Sequence, residues 1–127
     1  MKRAYLPPLL LLAVLLTLSL WNSYRITRDT ERWRDQLSQA EALGREQAWP
    51  EALAALEESY LDWQRPQTYL HIVLEHDVLD AAEAMYHRAA AFARAEDSSE
   101  FQAEIEHLRH QLLLMAETEQ FRIKNVL

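Results

Sequence analysis

Apolar residues fill this chain in two different ways. Residues 4–21, AYLPPLLLLAVLLTLSLW, carry no charge, so a helix built from them is apolar on every side, as in a membrane span. From residue 28 onward apolar positions recur at intervals of three and four among charged ones, which predicts amphipathic helices. A helix from Pro8 to Tyr24 spans about 25 Å, slightly short of a hydrocarbon core of about 30 Å. Tyr5, Trp21 and Tyr24 in the headgroup regions and Arg25 reaching outward complete the fit. Pro7 and Pro8 fall in the first turn, where a missing N–H costs least.

The same basic start and leucine run occur in cleaved secretory signals. LSLWNSYR, however, places bulky Leu20 and Trp21 where cleavage needs small residues, so an uncleaved anchor over residues 1–24 is expected. Membrane contact is assigned to residues 4–24. Lys2 and Arg3 compete with Arg25, Arg28, Arg32 and Arg34 under the positive-inside rule. The charge count favours a cytoplasmic domain, whereas a short basic head before an N-terminal anchor favours export. The expectation is an extracytoplasmic domain attached to the cell membrane.

Three interruptions divide the remainder: Gly44 to Pro50, Arg65 to Pro66, and Glu96 to Ser99. The first helix, about 28–46, aligns Trp33, Leu37, Ala40 and Gly44; it either continues the span or restarts behind Asn22, Ser23 or Thr27. A second begins at Pro50 and aligns Leu53, Leu56, Tyr60 and Trp63. The third, about 67–95, has two apolar stripes. One holds His71, Leu74, Val78, Met85, Ala89 and Phe92; the other holds Ile72, Leu79, Tyr86, Ala90 and Ala93. It is expected to be the spine of the domain, covered on two sides. In the fourth, Ser99 and Gln102 have capping-box spacing, and Phe101, Ile105, Leu108, Leu112 and Met115 repeat as a coiled-coil-like seam. Phe121, Ile123, Val126 and Leu127 leave an apolar tail that must dock. The predicted fold is all-α: an N-terminal transmembrane helix followed by a small antiparallel helical bundle over residues 25–127.

Composition narrows the function. The 127 residues include one Gly, four Pro and no Cys, which excludes thiolate metal sites, thiol nucleophiles and glycine-rich phosphate loops. Mean hydropathy is −0.30 and conceals the division between span and domain. Residues 25–127 hold all 20 acids against 11 bases, a formal charge of −9. Nucleic acid is therefore not expected as a partner, since its recognition needs a basic face.

From Trp49 onward, the order of Trp49, Glu51, Ala52 and Leu56, then Trp63, Glu75-His76-Asp77 with Leu79-Asp80, the Ala95-to-Asp97 turn, Glu117 with Glu119, and Asn125-Val126-Leu127 resembles an uncharacterised bacterial membrane family, domain-of-unknown-function family 4363. Val78 stands where that pattern leads to an acidic residue. The resemblance implies membrane attachment and helical architecture, and no assigned activity. EALGREQAWPEALAALEESYLDWQRP also looks like one tetratricopeptide helix pair. A lone copy has no stacked neighbour to cover its faces, so it is read as an ordinary helical hairpin.

His76 and Glu83 interrupt the second stripe of the third helix. A hydrogen-bonded histidine at the core boundary is the structural reading; the functional one is a pH-responsive binding pocket formed by His76, Asp77, Asp80 and Glu83, with Glu75 beside it. Glu104 and His107 have the Glu-x-x-His spacing of dinuclear metal bundles, with His110 one helical turn after His107. Such sites need two copies of that motif, and both residues flank the seam, so these are candidate ligands only. His71 and Glu75 offer a weaker i,i+4 pair. No catalytic residue and no cofactor are assigned. Trp33, Trp49, Trp63, Tyr60 and Tyr69 are core packing or, where exposed, a docking patch. The expected function is a non-enzymatic membrane accessory module that binds a protein or itself. The alternative is a metal-binding or pH-sensing domain using the His and carboxylate clusters.

Overall fold

The computed structural model describes residues 4–65 and 76–126; the side chains at 76, 119, 120 and 122–126 fall outside that set. Among the described residues four helices follow one another: α1 (Leu6–Arg45), α2 (Trp49–Gln64), α3 (His76–Arg94) and α4 (Ser98–Val126). No strand occurs among the described residues. The span and the first amphipathic stretch are one helix of 40 residues, about 60 Å long. No helix start forms at Asn22, Ser23 or Thr27. The sequence there has no Gly or Pro, and an uninterrupted backbone ladder leaves no free N–H groups for those side chains to cap.

The helices pack as a ring, each against two neighbours: α1 on α2 and α4, and α3 on α2 and α4. Contacts between ends give the directions. Arg32 on α1 meets Asp62 near the end of α2, and Arg45 at the end of α1 meets Gln102 near the start of α4. Arg88 of α3 meets Glu104 of α4 across the second turn. All adjacent pairs are therefore antiparallel. The described part of α3 is covered on two sides, by α2 and α4; residues 67–75, the first part of the helix expected as the spine, lie outside the described residues.

Periodicity located the core well. Trp33, Leu37 and Ala40 of α1 are buried, as are Leu56 and Trp63 of α2, and Leu79, Met85, Tyr86, Ala89, Ala90 and Ala93 of α3. The α4 seam, Phe101, Ile105, Leu108, Leu112 and Met115, is buried throughout. Val78, Leu53, Tyr60 and Phe92 pack against it from the edge. Each fully buried Leu or Phe contributes about 1.5–3 kcal/mol relative to exposure. Leu70, His71, Ile72 and Leu74, with Tyr69 and Glu75, lie outside the described residues. So do the side chains of Ile123 and Val126, and Leu127; Phe121 is exposed.

Both hairpin turns use the same termination. Gln47 and Glu96 adopt left-handed φ values of 59° and 54°. Gln47 N–H donates to Gly44 O and Ala48 N–H to Leu43 O; Glu96 N–H donates to Ala93 O and Asp97 N–H to Phe92 O. These paired bonds satisfy the last carbonyls of α1 and α3 and reverse the chain within three residues. The start of α4 differs from the expected Ser99–Gln102 box. Asp97 accepts from Glu100 N–H at 3.2 Å, while Gln102 accepts from Arg45 Nε at 2.8 Å. A cross-helix guanidinium has taken the glutamine that a local cap would have used.

Gly44 lies where α1, α2 and α4 converge. A Cβ there would sit 2.7 Å from the Phe101 ring, which itself meets Trp49 edge-on at 5.4 Å between centroids. The only glycine of the chain is thus kept for close approach of a helix to an aromatic ring.

Candidate functional site

Three polar constellations arise where helices meet. The first lies between α1 and α4. Leu37 plus four places Glu41 on the buried stripe of α1, and Glu41 is 4% exposed. Its Oε1 accepts from Arg45 Nη2 at 2.6 Å, and its Oε2 lies 3.8 Å from Arg109 Nη1. Arg109 also donates to Glu106 at 3.1 Å. Burial, with a hydrogen bond to Glu106 and its charge, raises the Glu41 pKa. The Glu106 pKa is lowered, chiefly by the hydrogen bond it receives from Glu41, with Arg109 contributing. The two carboxyls are thus shifted in opposite directions, Glu41 upward by its burial and Glu106 downward.

The second lies between α2 and α3. Ser59 and Tyr86 share a hydrogen bond at 2.8 Å in the dry interior, and burial pushes the Tyr86 phenol up, beyond any physiological range. Tyr60 donates to Glu83 at 3.0 Å and accepts from Gln64 at 2.6 Å. Burial and then the Glu83 hydrogen bond raise the Tyr60 pKa. Tyr60 also packs on Trp63, Tyr86 and His87 at 5.3–6.1 Å between centroids. A groove of about 280 Å³ opens beside them, floored by Leu56 and Ala90 and edged by His87 and Arg94.

The third is a cleft of about 670 Å³ between the middle of α1 and the end of α2, lined by Arg25, Asp29, Arg32, Asp62 and Arg65 among others. Arg32 is fixed there by Asp62 at 2.6 Å and Asp29 at 3.2 Å. The Asp62 hydrogen bond is the main reason its guanidinium pKa is raised.

The residues singled out from sequence are dispersed. Glu83 is half-exposed at the edge of α3, held by Tyr60, with His87 at 3.7 Å; the buried polar intrusion expected there does not form. The stripe turns toward solvent at that edge, so the carboxylate meets Tyr60 instead of the core. Asp77 and Asp80 are exposed, and the side chain of His76 and all of Glu75 lie outside the described residues. Glu104 is engaged by Arg88 at 3.0 Å, while His107 and His110 point to solvent from α4. Among the described residues no group of three His or carboxylate side chains is placed to hold a metal ion. Trp33, Trp49 and Trp63 are core residues, so they form no exposed docking patch.

Sequence reading missed Glu41 and Ser59. Both carried a signal: each falls at an i+3 or i+4 position from residues already assigned to the core, Leu37 for Glu41 and Leu56 and Trp63 for Ser59. Their polarity masked it.

Together these observations define an all-α bundle with one N-terminal helix that is long and apolar enough to cross a membrane. The profile of the family described as Domain of unknown function (DUF4363) matches residues 20–126, and the chain belongs to that family. No curated protein matches the chain, and no solved structure does.

Proposed function

We propose that the chain is a single-pass membrane protein, anchored by residues 1–24, whose acidic bundle lies outside the cytoplasm and acts by contact with a membrane protein or a second copy of itself. The continuity of α1 carries this reading. Leu9, Leu10, Leu11, Leu12, Leu15 and Leu18 are exposed on all sides of the same helix whose next turns bury Ile26, Thr30 and Trp33. An apolar surface of that extent is stable in lipid and not in water. Contact in place of catalysis is supported by the polar interior: Glu41 pairs with Arg109 across α1 and α4, and Ser59 with Tyr86 across α2 and α3. Exposed Leu61 and Leu114 supply apolar contact points on the bundle.

Membrane fractions washed with alkaline carbonate should retain the full chain with its N-terminal residues intact, and protease added outside intact spheroplasts should remove the bundle. A soluble mature chain beginning after residue 24 would overturn anchoring, and protection from external protease would reverse the sidedness. A photoreactive residue at Leu61 or Leu114 should yield a specific adduct with a membrane protein or a second copy. The absence of any adduct in native membranes would count against contact as the mode of action.

The alternative is a proton-responsive domain. Among the described residues the Glu41–Glu106 pair favours it, with buried Glu41 between Arg45 and Arg109.

A further inference from the structure

We infer that the last two turns of α4 return to the bilayer and rest in its interfacial layer beside the emerging span, so that the bundle meets lipid at two points. The inference rests on the anchoring reading above, because height is measured from the span. Arg45 of α1 meets Gln102 of α4, and Glu41 meets Arg109. Val126 follows Gln102 by 24 residues and Arg109 by 17. The same distances counted back along α1 from Arg45 and Glu41 reach Trp21 and Tyr24, the aromatic residues that mark the membrane interface. Phe121 falls level with Ile26 to Asp29 by the same count.

Burial along α1 supports that register independently. Residues 4–18 are exposed on every side, whereas Ser19, Asn22 and Ser23 are half-buried while Leu20, Trp21 and Tyr24 stay exposed. The covered positions extend the stripe of Ile26, Thr30 and Trp33 at helical spacing. α2 stops short of this height: its Asp62 meets Arg32, and its last residue is Gln64. α3 begins farther from the bilayer, since the meeting of Arg88 with Glu104 puts its first residue, His76, level with Ala116. Among the described helices α4 alone descends to the end of the span, with its backbone helical to Val126.

The residues that α4 brings there suit a lipid interface. Its buried seam ends at Met115 and Ala116, and the sequence after Gln120 holds Phe121, Arg122, Ile123, Lys124 and Val126 with no acid. Phe121 is 64% exposed. Apolar residues interleaved with long basic ones are typical of helices resting at the boundary of headgroups and acyl chains. The acids of this end of the bundle stand farther out. Glu117 lies about 13 Å from Val126 along α4, and exposed Asp77 and Asp80 are level with Met115 and Leu112. Screening over about 8–10 Å leaves the final turn little affected by them. Apolar contact, in place of net charge, carries the attachment and fixes the tilt of the bundle on its span.

The sequence contains no Cys, so single cysteines can carry a nitroxide in the full-length chain, reconstituted in vesicles of phosphatidylethanolamine and phosphatidylglycerol. Leu12→Cys reports on the span, Phe121→Cys on the end of α4, and His110→Cys on the exposed side of the bundle. Collisions with dissolved oxygen increase with depth in the bilayer, and collisions with a water-soluble nickel chelate decrease. The label at position 12 should be reached by oxygen and not by the chelate. The label at 121 should be several-fold less accessible to the chelate than the label at 110, and more accessible to oxygen. Equal chelate access at 121 and 110, with position 12 protected, would overturn the proposal and leave anchoring intact. Chelate access at position 12 would overturn anchoring, and the second contact with it. Shielding of position 121 from both reagents would mean that protein covers it, from this chain or a second copy, and would also overturn the proposal. The thermal midpoint of Phe121→Cys in detergent should equal that of the unsubstituted chain; a lowered midpoint would place Phe121 in the bundle core and exclude it from lipid.

Discussion

The two halves of α1 obey one backbone geometry and opposite rules of burial. Between Leu6 and Trp21 large apolar side chains are exposed around the helix, while between Ile26 and Gly44 a single stripe is buried against α2 and α4. The upper half has no protein to cover it, so its stability depends on the surrounding medium. The lower half carries its own solvent exclusion in the form of two other helices, α2 and α4. A helix does not need a loop to change environment; a change in the angular distribution of apolar side chains is sufficient.

Placing one charge in each half is the severest test of that contrast. Leu37→Asp, at a fully buried position, should abolish cooperative thermal unfolding of the bundle, a loss of about 4 kcal/mol or more. Leu12→Asp should leave the unfolding midpoint of the detergent-solubilised chain unchanged, yet weaken membrane insertion by about 2.5–3.5 kcal/mol, read as loss from carbonate-washed membranes. Equal effects of the two on bundle unfolding would mean that the upper half is also packed against protein.

Gly44→Ala sharpens the contrast within the buried half. The new methyl must displace Phe101, and overpacking of about 1–3 kcal/mol outweighs the gain of about 1 kcal/mol in helix propensity. The midpoint in urea should fall. Combining it with Phe101→Leu should cost less than the sum of the single changes; strict additivity would show that the ring is not the obstacle.

Glu41→Gln probes the carboxyl pair through pH. The raised Glu41 pKa means that its contribution is fully present below the ordinary value of 4.5 and is lost as pH rises through the raised value. Glu106, with a lowered pKa, contributes in the opposite sense, gaining above its ordinary value and losing as pH falls through the lowered one. A glutamine imitates the protonated Glu41. Wild type and variant should therefore be about equally stable in acid, and wild type should fall below the variant as pH approaches neutrality. Parallel stability profiles would remove Glu41 from the titration.

The smallest expected effects lie at the two turns. Gln47→Gly and Glu96→Gly each relieve a left-handed conformation in a residue with a Cβ and should raise the thermal midpoint, by up to about 1 kcal/mol each in stability. A fall at either position would show that its side chain contributes more than its backbone costs.

The amino-acid pattern was sufficient for the helices and for most of the core. Phe101 to Met115 and Trp33 to Gly44 repeat at helical spacing, and such residues have no comparably stable place except inside. The apolar run before Trp21 was equally plain, because no charge interrupts it. Polar residues were harder to place, since the same hydroxyl or carboxylate can cap a helix, face water or cross an interface. Gln102 had the spacing of a local cap and was taken by Arg45; Glu83 was expected inside and bonds Tyr60 at the edge; Glu41, on the buried stripe, gave only an i+4 hint.

What the sequence alone determined about this protein was therefore periodic: which segments are helical, which face of each is apolar, and where the uniform apolar run ends. Tertiary structure alone decided which helices neighbour one another, that Glu41 is buried beside Arg45 and Arg109, and that Arg25 and Arg65 line one cleft. The physical reason is range. Apolar burial is non-directional and is recorded in spacing along one helix, whereas a hydrogen bond or ion pair requires a particular atom from a distant part of the chain, and its partner is settled only when the helices have packed.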